Sequence, residues 1–161
     1  MASEFSIRPA LPADAPEIVR LIKELAEYEK LAHMAVGTPQ MMSEALFGAR
    51  PAAEAIIAER GGRAVGFALY FTTFSTFLCR PGLYLEDLFV EPAQRGLGIG
   101  KALLARLAAL AVERGCGRLE WRVLDWNTPS IKFYESLGAN LMPEWELVRM
   151  TVPEFTALAS R

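Results

Sequence analysis

Apolar and polar positions change period several times along this chain, and each change marks an element. Residues 5–8 alternate as a short strand does. Ile18, Leu21, Ile22, Leu25 and Tyr28 then recur at helical spacing, with Asp14 as an N-cap and Glu17 completing a capping box. Thr38-Pro39 predicts the cap and first residue of a second helix, and Gly48 its end. Residues 55–59 predict a strand, Gly61-Gly62 a hairpin turn, and residues 64–71 the returning strand. Residues 83–90 form another apolar strand, interrupted by Glu86 and Asp87. A glycine-rich run follows, then a helix over about 98–114 carrying Leu103, Leu104, Leu107 and Leu110. Residues 119–124 predict a strand, 129–137 a helix stopped by Gly138, 145–152 a last strand, and 153–159 a short terminal helix. The order is βαα, three strands, then αβαβ and the terminal helix. It predicts an α/β (α+β) fold, a mixed sheet carrying helices.

Composition narrows the classes. A length of 161 residues, with no repeat, low-complexity tract or linker, predicts one domain over 1–161. Hydrophobic residues make up 52%, enough to build a core rather than a disordered chain. A net charge of −2 argues against nucleic acid as a bulk partner. Charges or glycines break every apolar run before about 18 residues, so no membrane span is expected. The N-terminus enters the strand at Phe5 without a basic, apolar, small-residue signal pattern. Cys79 and Cys116 lie far apart with no CxxC. A reduced, cytoplasmic protein is the simple expectation, although sequence leaves a disulfide open. The single histidine, His33, cannot anchor a zinc site alone, so no metal is expected.

The run Gln94-Arg95-Gly96-Leu97-Gly98-Ile99-Gly100-Lys101 sits between a strand and a helix. Glycines permit the turn and let backbone approach a ligand, and N–H groups at a helix start attract phosphate. A Walker A loop needs four residues between its first glycine and Gly-Lys, followed by Ser or Thr. Here only Leu97, Gly98 and Ile99 intervene, and Ala102 follows. A GxGxxG dinucleotide fingerprint starting at Gly96 would need glycine at Lys101. Both fail, leaving a pyrophosphate loop of the form RxxGxG or a glycine-rich turn with no ligand.

The neighbours of that loop suit acyl transfer to an amine. A lysine-like ammonium has a pKa of about 10.4, so neutralising it at pH 7 costs roughly 4.6 kcal/mol. A carboxylate can accept that proton, directly or through water, and a tyrosine can protonate a leaving thiolate. Glu86 and Asp87 interrupt an apolar strand, a poor place for charge unless it lines a cleft. Tyr134 lies on the helix after Asn127-Thr128-Pro129-Ser130. Taken singly, Glu86 also fits an edge carboxylate facing water, and Tyr134 an ordinary core position.

Taken together, the residues resemble the GNAT acetyltransferase superfamily, and within it the spermidine/spermine and thialysine acetyltransferase branch. The resemblance covers nearly the whole chain. It rests on Ile7-Arg8-Pro9-Ala10, residues 21–29, Tyr84-Leu85-Glu86-Asp87-Leu88-Phe89-Val90, Arg95 to Gly100, Asp125-Trp126-Asn127 with Pro129-Ser130, and Phe133-Tyr134 with Leu137-Gly138-Ala139. It implies a mixed, mostly antiparallel sheet of about six to seven strands with helices on both faces. It implies acetyl-CoA as co-substrate and direct transfer in a ternary complex. Glu86 is then the general base, and Tyr134 the acid that protonates the CoA sulfur. Backbone at Leu88, Phe89 and Val90 pairs with the pantetheine arm, the Leu88 N–H polarising the thioester carbonyl. Arg95, Gly96, Leu97, Gly98, Ile99, Gly100 and Lys101 hold the pyrophosphate. Asn127, Thr128, Pro129 and Ser130 line the cofactor's other side. Tyr28, Glu29, Glu86, Glu120, Trp121 and Arg122 match amine-pocket positions, and the family implies a homodimer. No cysteine falls in these motifs, so a covalent acetyl-cysteine is not expected.

The acceptor is a small-molecule amine in this resemblance, and its kind is less sharply marked. The polyamine enzymes carry an acidic residue where this chain has Phe74-Ser75-Thr76-Phe77. Ser75-Thr76, residues 26–31 and residues 123–127 look more like the thialysine-acetylating branch. An arginine at 122 suits an amino acid's carboxylate better than a polycation. A small diamine or lysine-like amino acid is therefore expected over spermine. A non-catalytic acetyl-CoA sensor and a protein acetyltransferase are the other readings, and residues 30–48 are where an open groove would distinguish the latter.

Overall fold

The computed structural model describes residues 4–161. The chain divides into two compact units, Met1–Arg122 and Val123–Arg161.

The first unit is built on one sheet with strand order β1-β2-β3-β4-β5. The strands are β1 (Ser6–Pro9), β2 (Glu54–Arg60), β3 (Arg63–Ser75), β4 (Arg80–Val90) and β5 (Arg118–Trp121). The first three pairings are antiparallel and β4–β5 is parallel, so the sheet is mixed as expected. Among the described residues it has five strands rather than six or seven. The β2–β3 hairpin turns at Gly61 and Gly62, whose φ values of 60° and 74° are the left-handed pair that a two-residue turn needs. β3 is buried continuously from Ala64 to Tyr70, the signature of a central strand covered on both faces.

Three helices cover that sheet: α1 (Ala15–Tyr28), α2 (Pro39–Phe47) and α3 (Ile99–Glu113). Ile18, Leu21 and Leu25 of α1 and Leu46 of α2 join Ala55, Ile57, Phe67, Leu69 and Phe89 in one apolar cluster. Each leucine, isoleucine or phenylalanine among them, fully buried, contributes roughly 1.5–3 kcal/mol. Alternate strand residues, Ile56, Ala58, Ala68 and Tyr70, face the other way. There α3 packs on β3 and β4, burying Leu103, Leu104, Leu107 and Leu110 and setting the Arg114 guanidinium 5.8 Å from the Tyr70 ring centre. Helices therefore lie on both faces.

The α2 cap is as the sequence predicts, with Met41 N–H donating to Thr38 Oγ1 at 3.2 Å. The start of α1 differs. A short 3-10 turn at Pro12–Asp14 precedes it, and Asp14 makes no side-chain cap. Its carboxylate turns back instead, accepting from Leu11 N–H at 2.7 Å and from Arg8 Nη1 at 2.7 Å. A guanidinium on β1 outcompetes the helix N–H groups, and Glu17 pairs with Arg20.

In the second unit, α4 (Thr128–Ser136) is capped by Asn127, whose Oδ1 accepts from Ser130 N–H at 3.4 Å. Gly138, at φ 91°, stops the helix path. The terminal helix α5 (Val152–Ala159) begins with Thr151 N–H donating to Glu154 at 2.9 Å. The strand expected over 145–152 is absent: residues 145–150 form no ladder and Val152 belongs to α5. Apolar and β-branched side chains suit a strand, but a strand also needs a partner backbone, and none of the described residues pairs with it. Trp145, Leu147, Val148 and Met150 are exposed. Likewise β5 ends at Trp121, before the expected Leu124. Among the described residues no helix is long and apolar enough to cross a membrane.

Candidate active site

The chemistry gathers where β4 breaks its regularity. Tyr70 pairs with Leu85 but Leu69 pairs with Asp87, so Glu86 is the extra residue of a β-bulge. The bulge resets the alternation of β4. Asp87 comes to share a face with Phe89 and lies opposite Leu69, on the side that α1 covers. Glu86, at the bulge itself, is exposed. The β4–β5 ladder stops at the same level, its last pair being Leu85 with Trp121. Beyond it, among the described residues, Leu88, Phe89 and Val90 are laddered to β3 alone. That stretch of backbone presents an edge to which another extended chain can pair.

The glycine run follows directly. Gly96 and Gly98 have φ of 79° and 82°, and Gly98 is the N-cap of α3. A side chain at either would meet nothing within 4 Å, so backbone conformation rather than crowding requires glycine. The first α3 hydrogen bond runs from Ala102 N–H to Gly98 O at 2.9 Å. The N–H groups of Ile99, Gly100 and Lys101 therefore precede the intrahelical ladder, at the positive end of the helix dipole. Leu97 and Lys101 are exposed beside them. This donor set suits a pyrophosphate. Arg95 has a different engagement: its Nε donates to Val90 O at 3.0 Å, and its guanidinium lies 5.1 Å from the Tyr28 ring centre and 5.6 Å from that of Phe89. Arg95 thus ties the loop to the end of α1 and to β4.

Carboxylates collect next to that junction. Burial, the Glu86 charge and the Glu29 charge together raise the Asp87 pKa to about 6. Glu29, the C-cap of α1, is raised by burial as well. The charges that act on Asp87 are those of Glu86 and Glu29, both negative. The arrangement matches a place for an ammonium ion. Tyr28, Glu29 and Glu86 were nominated by sequence and come together here. Asp87 was noted only as part of the strand's interruption, yet it is the carboxylate with the strongly displaced pKa. Its signal was available: a second acid directly after Glu86 in an apolar strand.

On β5, Glu120 stands opposite Tyr84 and Trp121 opposite Leu85. The Arg122 guanidinium lies 5.5 Å from the Tyr84 ring centre, and Tyr84 packs 5.1 Å from Phe71. Burial raises the Tyr84 pKa, Arg122 opposes the rise, and Glu86 and Glu120 add to it. Sequence placed Glu120, Trp121 and Arg122 in the pocket but not Tyr84, which carries Arg122.

In the second unit, Asn127 is buried at the start of α4, followed by Thr128, Pro129 and the half-buried Ser130. Tyr134 is half-buried on α4, its ring 5.5 Å from that of Phe133.

Two features of the first unit lie outside this chemistry. A groove of about 720 Å³ is lined by Leu46, Ile56, Tyr70, Arg106, Leu110 and Arg114 among others, and contains none of the nominated site residues. Glu91, just past β4, accepts from Arg20 and Arg63 at 2.7 Å each. Among the described residues no three His, Cys, Asp or Glu side chains gather as metal ligands.

The model of the acetyltransferase (GNAT) family matches residues 21–139. The chain is 38% identical to a bovine (Bos taurus) thialysine N-epsilon-acetyltransferase, covering 87% of this chain and 86% of that protein. It is 32% identical to the L-ornithine N5-acetyltransferase NATA1 of Arabidopsis thaliana, covering 90% of this chain and 83% of that protein. Among solved structures, an integron cassette protein from the mobile metagenome of V. cholerae superposes with a TM-score of 0.82 at 29% identity, covering 100% of this chain and 99% of that one.

Proposed function

This chain belongs to the acetyltransferase (GNAT) family, and we propose that it transfers acetyl from acetyl-CoA to a primary amine of a small diamine, polyamine or lysine-like amino acid. The break in β4 carries this reading. One bulge places two carboxylates at the point where β4 and β5 stop pairing, and the open backbone and the glycine loop follow within the next residues.

Acetyl-CoA supplies the activated acyl group as a thioester. The donor set fits it on two counts: strand edge at Leu88, Phe89 and Val90 for an extended amide-bearing arm, and first-turn N–H groups of α3 with Lys101 for a pyrophosphate. Asn127 to Ser130 take the remaining cofactor contacts. The acceptor arrives as an ammonium and is held by Glu29, Asp87 and Glu120. Glu86, reachable by water at the bulge, takes its proton, offsetting the roughly 4.6 kcal/mol that neutralisation costs at pH 7. Tyr134 returns a proton to the departing sulfur. The names of the thialysine- and ornithine-acetylating relatives support a small amine acceptor.

The enzyme works as a homodimer, a reading supported by the exposed apolar row Trp145, Leu147, Val148 and Met150. It works in the cytoplasm, where its two free cysteines would stay reduced. Light scattering coupled to size exclusion tests the dimer.

The activity is tested by following thiol release and product mass with acetyl-CoA and a panel of L-ornithine, L-lysine, thialysine, putrescine, spermidine and spermine. Turnover of one or more is expected. Tyr134→Phe should lower kcat tenfold or more, on the order of a lost general acid, with the acetyl-CoA Kd little changed. Stabilisation by acetyl-CoA without turnover on any amine would make the chain a binding module. Turnover confined to protein acceptors would replace the small-amine reading.

A further inference from the structure

Five arginines of the first unit are ion-paired, and the one beside the β4 bulge is not among them. Arg8, Arg20, Arg63, Arg106 and Arg114 each make an ion pair at 3.1 Å or less. Arg122 makes none among the described residues. It is exposed, and its guanidinium rests 5.5 Å from the centre of the Tyr84 ring. A guanidinium carries five N–H donors, so one held at the Tyr84 ring and its hydroxyl is fixed in position and still keeps donors for a ligand.

Its place in the sheet gives that position meaning. Arg122 follows Trp121, the last β5 residue paired with β4, and so stands one step past the ladder, level with the Glu86 bulge. Tyr84 feels the charges of Arg122, Glu86 and Glu120 together. One cation therefore stands beside a group of acids that otherwise suits only ammonium ions. A diamine or polyamine offers nothing to this cation, and its distal ammonium would be repelled. An α-amino acid with a side-chain amine offers both signs: two ammonium groups for the acids and a carboxylate for a planar, two-pronged donor.

We infer that Arg122, held by Tyr84, recognises the acceptor's carboxylate and makes this enzyme selective for an α-amino acid bearing a side-chain amine over the diamine that lacks the carboxyl group. The inference rests on the acetyltransferase reading above and specifies its acceptor. The selectivity has a repulsive as well as an attractive part, since the same guanidinium disfavours the distal ammonium of a diamine.

L-Ornithine and putrescine differ only by the carboxylate, so their kcat/KM ratio isolates it. The wild type should favour L-ornithine about tenfold or more, the scale of one charge-assisted hydrogen-bonded contact. L-Ornithine methyl ester, whose carboxylate is masked, should fall toward putrescine with no change to the protein. Arg122→Leu should lower kcat/KM for L-ornithine and raise it for putrescine, collapsing the ratio. Arg122→Lys should restore part of it, since the charge returns without the fork. Equal use of the two amines by the wild type, full activity on the ester, or a ratio surviving in Arg122→Leu would each overturn the inference. The ester and the wild-type ratio decide the matter even if Arg122→Leu does not fold. Failure of the whole amine panel, with acetyl-CoA bound, would instead sink the small-amine acetyltransferase reading beneath it.

Discussion

Two carboxylates in the same stretch of chain meet opposite fates. Glu91 is buried just past the end of β4 and receives guanidinium groups from Arg20 on α1 and Arg63 on β3. Burial alone would raise its pKa, but the two arginines win and hold it below the usual carboxylate range. Asp87, inside β4, meets Glu86 and Glu29 instead, and its pKa rises to about 6. The first acid is complete within the chain and clamps α1 to the β3–β4 edge. The second lacks a counter-charge that an ammonium would bring. The direction of a displaced pKa thus separates a carboxylate that serves the fold from one that awaits a ligand.

The largest effect should come from neutralising the incomplete member. Asp87→Asn keeps the shape and removes the charge. It should lower kcat/KM for the amine about 100-fold, a range typical for loss of a charged group that acts on the reacting proton or its carrier. Its Tm should rise at neutral pH, because a buried charge without a partner has gone. A stability loss alongside unchanged kinetics would make Asp87 the structural acid and erase the contrast.

The complementary variant inverts the pattern. Glu91→Gln leaves two guanidinium groups facing a neutral amide. It should cost about 2 kcal/mol, below the range for a fully buried pair because Arg63 is largely exposed. For a chain of this size that is a Tm drop of roughly 4–8 °C. Amine kcat/KM, measured well below the new Tm, should change less than threefold, a bound set by the small effects usual away from the chemistry. A Tm within a degree of wild type would show that the ion pairs are surface decoration.

How much of this was legible before the fold follows from what each feature depends on. The helical spacing from Ile18 to Tyr28, the Gly61-Gly62 turn and the glycine loop are local, so their chemistry is written in a few adjacent residues. The fate of Asp87 is not local. It depends on a register slip between β3 and β4, which no single strand encodes, and on Glu29 arriving from α1. Glu91 is similar, since its arginines are 71 and 28 residues away in sequence. Residues 145–152 show the same limit from the other side: their side chains suit a strand, but pairing belongs to two segments, and only one was in view. Asp14 looked like a cap because the competing guanidinium of Arg8 was on a different element. Sequence therefore marked the site through motifs and missed the residues whose character comes from tertiary neighbours.

The smallest effect, and the one that separates the two acids most finely, is their response to pH. Asp87 has its pKa raised from 3.8 to about 6, so the folded state holds that proton more tightly than the unfolded chain. Its contribution is harmless below about 3.8, and stability is lost as pH rises through about 6. Glu91 is shifted down from 4.5, so its ion pairs stabilise fully above that value and are lost as pH falls through the lower, folded value. Between about pH 6 and pH 4.5 the two therefore pull apart: acid should restore stability at Asp87 before it removes any at Glu91. Activity should move the other way, because a protonated Asp87 no longer attracts an ammonium. The amine itself also becomes harder to neutralise in acid, so the wild-type rate alone is ambiguous. The ratio of wild-type to Asp87→Asn kcat/KM cancels that term. It should be flat above pH 7 and shrink by up to about tenfold per unit below pH 6, as one titrating group dictates. A ratio constant from pH 5 to pH 8 would mean that Asp87 does not titrate in this range, and that its acidic neighbours Glu86 and Glu29 are screened from it by water.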